Sequence, residues 1–138
     1  MIGTVVLVGA IQLVPYGRGH TNPPVVREPT WDRPDTRALA VRACFDCHSN
    51  ESAWPWYSHV APASWLVQNH VDEGREVLNF SDWSRTYEEA DDAAKVVLAG
   101  EMPPRSYTLM HPSARLSAAE QRALADGLTA TIGRASGD

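Results

Sequence analysis

Cys44-Phe45-Asp46-Cys47-His48 is the most specific run of residues in the chain. On a helical turn, thiols three positions apart lie on one face, and the adjoining histidine presents an imidazole beside them. Such a set can reach both vinyl groups of a haem and give its iron an axial nitrogen. Two other readings compete. A thioredoxin-type C-x-x-C heads a helix in a βαβ unit, and no strand pattern precedes this one. A zinc site needs more ligands; His59, His70 and His111 are available, but neither a second cysteine pair nor an H-x₃₋₅-H spacing is present downstream. The motif therefore predicts one covalently attached haem c. Export to an oxidising compartment agrees with that chemistry.

Outward from the motif the chain reads as helices and loops. Asp35 or Thr36 can cap a helix running through Ala38, Val41 and Cys44. Over residues 62–78, Val67, Val71, Gly74 and Leu78 form an apolar stripe, with Leu66, His70 and Val77 beside it and polar residues opposite. Gly74 in that stripe reads as a close-packing position. Thr86 and Glu89 make a capping box for a third helix, which Gly100 stops. Ser117 and Glu120 make a second box, opening a helix that carries Ala123, Leu124, Leu128 and Ile132 inward until Gly133. No segment alternates with period two. The expected fold is a small all-α, cytochrome c-like domain of four helices around one haem, with irregular loops at residues 49–61 and 101–116.

A six-coordinate iron needs a second ligand. Met102 lies in Gly100-Glu101-Met102-Pro103-Pro104, beyond a helix stop, where Pro103 pushes it into an extended conformation and Pro104 stiffens the loop beyond. A methionine held that way can aim its thioether across a pocket. Its ordinary role as a core filler fits poorly beside two prolines and Glu101. Met110, His111 and His59 are the other candidates; His70 reads as a core histidine. Trp54, Trp56 and Tyr57 in the first loop either cover the core or hydrogen-bond haem propionates, with Arg105 as a charge partner.

These residues resemble the bacterial haem-binding domain family of small c-type cytochromes. The similarity is carried by residues 44–51 running into Trp54-Pro55-Trp56-Tyr57-Ser58, and by Ala61-Pro62, Ser64-Trp65-Leu66 and Glu73-Gly74-Arg75. It continues through residues 78–83, Gly100-Glu101-Met102-Pro103-Pro104 and Leu109-Met110-His111-Pro112, and reaches back to Asn22-Pro23-Pro24. The resemblance implies an exported, mostly helical haem domain with Cys44 and Cys47 as attachment points and His48 as proximal ligand. In one departure, Arg105 and Ser106 come after the prolines where aromatic residues are expected.

Composition bounds the partners. The chain has 138 residues, 43% hydrophobic and 21% charged, enough for one cored domain. Seventeen acids against twelve bases leave a net charge of −5, which argues against nucleic acid. Lys95 is the sole lysine, so a lysine-ringed docking face is excluded. The apolar run Ile2–Val14 would span roughly 20 Å as a helix. A hydrocarbon core is about 30 Å thick, so residues 1–14 read as a signal or membrane-anchor segment rather than a full span. Residues 15–34, punctuated by Pro15, Pro23, Pro24, Pro29 and Pro34, read as a semi-rigid spacer. Residues 35–138 are then the haem-binding domain.

The expected function is single-electron transfer by an exported c-type cytochrome, periplasmic or anchored facing the periplasm, with a redox protein as partner and no enzymatic activity. The alternative is a haem enzyme or diatomic-gas sensor with an open distal site. A thiol oxidoreductase using Cys44 and Cys47 is a third class.

Overall fold

The computed structural model describes residues 1–135, and side chains through residue 133. Seven α-helices succeed one another: α1 Ile2–Ile11, α2 Pro34–Ala43, α3 Phe45–His48, α4 Ala63–Val77, α5 Ala93–Leu98, α6 Arg105–Met110 and α7 Ala118–Ala135. Short 3₁₀ turns lie at Trp56–His59, Ala90–Asp92 and Pro112–Ala114. Among the described residues no strand forms, and one isolated parallel bridge joins Arg27 to Asp82. The all-α expectation holds, and the four helices read from the sequence are α2, α4, α5 and α7.

Their ends obey the caps unevenly. At α7 the box is made: the Glu120 N–H donates to Ser117 Oγ at 3.2 Å, and the Ser117 N–H donates to Glu120 Oε2 at 2.8 Å. This helix runs on past Gly133 to Ala135. At α5 Gly100 takes φ +72°. There the Glu101 N–H reaches the Val96 carbonyl and the Gly100 N–H reaches Val97, both at 3.0 Å, the Schellman pattern of a helix stop. Thr86, however, starts nothing. Tyr87 is buried, its hydroxyl donates to the Asp82 carbonyl and its ring lies on Trp83, so residues 82–89 stay irregular and the helix begins at the Ala90 turn. Nor do Asp35 and Thr36 cap α2. Pro34 occupies its first turn, and Thr36 is buried inside the helix, where α7 crosses at Gly127. A Cβ at 127 would collide with the Thr36 side chain.

The core gathers Ala40 of α2, Phe45 of α3, Val97 of α5 and Leu124 and Leu128 of α7 around Phe80. Phe80 stacks on Phe45 at 5.7 Å and on Trp83 at 5.9 Å, and Trp31 tilts against it at 5.2 Å. Trp31 belongs to the stretch expected to be a spacer. That stretch is extended, as its prolines require, but it is a strap laid along the body. The Val26 N–H donates to the Ser81 carbonyl and the Trp83 N–H to the Arg27 carbonyl, each at 2.8 Å. Gly17, at φ +78°, comes so close to Ser64 that a Cβ would stand 2.5 Å from its carbonyl oxygen. Packing of the body thus begins well before residue 35.

α1 is apolar on every side and has no buried residue. Gln12 at its end exchanges two hydrogen bonds with the Ala61 backbone, each 3.0 Å. Among the described residues no helix is long and apolar enough to cross a membrane.

Candidate functional site

The backbone breaks at Cys44, which leaves α2 with φ −123° and ψ −34°. Its carbonyl accepts from both Cys47 and His48, at 3.1 and 2.9 Å, and so closes the single turn of α3. This turn divides its side chains. Phe45 enters the core, while Cys44, Cys47 and His48 line a cavity of about 470 Å³, with Asp46 at its edge bonded to the loop and α6.

α3 lies directly on α4, and Gly74 makes that possible. A Cβ at 74 would stand 2.5 Å from the Cys47 carbonyl oxygen. The close-packing role read from the sequence is confirmed, and its partner is the C-x-x-C-H run itself. At this contact His48 Nδ1 lies 2.9 Å from the Gly74 carbonyl and 3.0 Å from that of Leu78. Both are acceptors only, so Nδ1 carries the proton and Nε2 keeps its lone pair. Burial pushes the His48 pKa down, against the pull of these two carbonyls, and favours the neutral ring. An imidazole held this way is a prepared metal ligand.

Burial also pushes the thiols up, Cys44 to about 12 and Cys47 to about 11. Reactive oxidoreductase cysteines need the opposite shift. Among the described residues no three His, Cys, Asp or Glu side chains group to hold a metal ion, so the zinc alternative has no ligand set.

Of the second-ligand candidates, Met102 lines the cavity, from the loop after α5. Met110 does not, His111 is stacked on Tyr107 at 4.2 Å, and His59 stands edge-on to His20 at 4.3 Å. His70 also lines the cavity, but from α4, the helix that grips His48. The apolar walls come from α4, α5 and α7, through residues such as Val77, Val96 and Leu128. Trp54 and Tyr57 line a neighbouring cavity of about 50 Å³ with Asp46, Tyr107 and His111. Trp56 is 76% exposed and Arg105 opens α6 on the surface; neither lines either cavity. Trp54, Trp56, Tyr57 and Arg105 thus stand outside the lining of the main cavity. Trp56 packs edge-on against Tyr57, and Pro104 sets the start of α6 so that Arg105 stays at the surface.

Several residues with no role read from the sequence hold the motif in place. Tyr107 donates to Asp46 Oδ2 at 2.5 Å, and the Ala53 N–H donates to Oδ1 at 2.9 Å. The His48 carbonyl accepts the Phe80 N–H at 2.8 Å. Asn50 receives Asn79 Nδ2 at 2.9 Å and donates to the Pro24 carbonyl at 3.0 Å, fastening the strap. Arg75 donates four hydrogen bonds across the same region.

A family model described as a haem-binding domain matches residues 6–130, and the chain belongs to that family. No curated protein and no solved structure matches it. The site fits the group: an imidazole with a free Nε2, a thioether, two thiols and apolar walls meet in one cavity of a size usual for cofactors, roughly 300–1,000 Å³. The chain is a haem-binding domain.

Gly74→Ala tests the contact on which the site is built. The new methyl would meet backbone, so α3 must retreat and His48 loses a carbonyl. Overpacking of this kind costs about 1–3 kcal/mol. The ratio of Soret to protein absorbance should fall several-fold and the melting temperature should drop. Gly133→Ala, with nothing within 4 Å of its Cβ and a helical position that favours alanine, should keep the ratio and not lower the melting temperature.

Proposed function

We propose that this haem-binding domain carries haem c on Cys44 and Cys47, ligates its iron through His48 Nε2 and Met102, and passes single electrons outside the cytoplasm. The observation that carries the reading is the meeting of these four side chains in one cavity. Attachment needs no oxidant: each S–H adds across a vinyl double bond, forming a C–S bond and delivering the hydrogen to the neighbouring carbon. The raised thiol pKa values keep both cysteines in the S–H form. Bound there, haem supplies a one-electron Fe(III)/Fe(II) couple.

The protein's own part is positional. Two carbonyls fix the His48 ring, the Schellman stop and two prolines fix the Met102 loop, and Val77, Val96 and Leu128 give the cavity apolar wall. Fixed ligands reorganise little when an electron arrives, and a methionine sulfur raises the potential relative to a second histidine. Electron transfer is favoured over catalysis because the Met102 thioether can fill the sixth position. The apolar α1, with no buried residue, supports export and attachment at a membrane surface. The partner is a redox protein that docks without a lysine ring on this chain.

Met102→Ala should remove the weak far-red sulfur–iron band of the oxidised protein, admit carbon monoxide to the reduced protein and lower the midpoint potential. Met110→Ala should keep the band. Wild-type protein without the band, or binding carbon monoxide as readily as the variant, would favour the enzyme-or-sensor alternative.

Deleting residues 1–14 should abolish haem loading in the cell, and fractionation should find the full chain in the periplasmic or membrane fraction. Normally loaded protein from the deletion would defeat the export reading.

A further inference from the structure

We propose that Arg75 raises the reduction potential of the bound iron by holding a positive charge, unpaired with any carboxylate, behind the proximal histidine; this rests on the haem c reading above. Arg75 is next in the chain to Gly74, whose carbonyl faces His48 Nδ1. Its guanidinium turns back over the exit of the haem motif. Nε donates to the Ser49 carbonyl at 2.8 Å and Nη1 to the Thr21 carbonyl at 2.9 Å. Nη2 donates to Asn22 Oδ1 at 2.9 Å and Ser52 Oγ at 3.0 Å. Every acceptor is neutral. Ion pairs among the described residues engage Arg33, Arg37, Arg42 and Lys95, not Arg75.

No carboxylate bonds to Arg75. Asp46 accepts from Ala53 and Tyr107, and Asp72, which accepts from Gln68, acts on Arg75 only through its field. Four hydrogen bonds engage the donors of Arg75 without cancelling its charge, and half-burial limits screening by salt. At the Cys47 thiol, burial and the Asp46 carboxylate act more strongly, and Arg75 opposes them, so its positive field reaches one of the two attachment points. Reduction removes one positive charge from the iron, so a fixed cation close behind its ligand favours the oxidised form less than the reduced one.

Arg75 also ties the strap to the motif, and a purely mechanical role predicts different results. The test is the midpoint potential of full-length holoprotein, read by spectroelectrochemistry, in four variants. Arg75→Gln should lower it. Arg75→Lys, which keeps the charge and loses the fork, should stay near wild type. Asn22→Asp places a carboxylate on Nη2 while Arg75 remains, and should lower it too. Asn22→Ala, which like Asn22→Asp loses the amide's bond to the Ser52 carbonyl but adds no charge, should not.

The sulfur–iron band should persist in all four. Unchanged potentials in both Arg75→Gln and Asn22→Asp would overturn the proposal, as would a fall in Arg75→Lys equal to that in Arg75→Gln. If Arg75→Gln yields no holoprotein, Asn22→Asp decides alone. Failure of the haem c reading shows earlier, as wild-type protein without covalent haem.

Discussion

The hydrogen bonds from His48 Nδ1 to the carbonyls of Gly74 and Leu78 are the constraint on which the site depends. They fix which nitrogen is free, the direction in which it points, and the seating of α3 on α4. Both acceptors lie at the C-terminal end of α4, the negative end of the helix dipole, and the Gly74 carbonyl takes His48 in addition to the Leu78 N–H. A donor there is stabilised, and the imidazole becomes more basic at its far nitrogen. The contact requires a glycine, since any side chain at 74 would strike the Cys47 backbone.

The rest of the chain keeps a one-turn helix from drifting. Four residues of α-helix do not hold themselves together. Phe45 pins α3 into the aromatic core through Phe80, Asp46 ties it to α6 through Tyr107, and Arg75 ties its exit to the strap. Residues from Thr21 to Tyr107 thereby converge on five consecutive positions. The polar residues around the motif, Asn22, Asn50, Asn79 and Ser81, are buried or bonded fasteners rather than chemistry.

Signals confined to a few neighbouring residues were legible in the sequence. The helical turn of the C-x-x-C-H run, the Ser117–Glu120 box, the Gly100 stop and the tight approach at Gly74 each depend on local spacing, and the structure has all four. The misreadings came where distant residues override local preference. Thr86 has the right spacing for a cap, but burial of Tyr87 against Trp83 and Asp82 holds that segment irregular. Prolines in residues 15–34 fixed an extended chain, yet nothing local says whether such a chain hangs free or lies on Ser81 and Trp83. The surface placement of Trp56 and Arg105 depends on the turn at residues 56–59 and the start of α6, which composition does not encode. The Arg75 fork has no sequence signal at all, because its acceptors are two side chains and two backbone carbonyls up to 54 residues away.

Covalent attachment is the claim on which ligation, export and electron transfer rest, and the mass of the denatured polypeptide tests it most directly. The chain is expressed with its N-terminal segment alongside the cytochrome c maturation machinery, purified, denatured in acid and weighed by mass spectrometry. The predicted result is a polypeptide heavier by one haem, with neither Cys44 nor Cys47 open to alkylation. The contradicting result is a chain at its bare mass, its colour extracted into acidified solvent and both thiols alkylated.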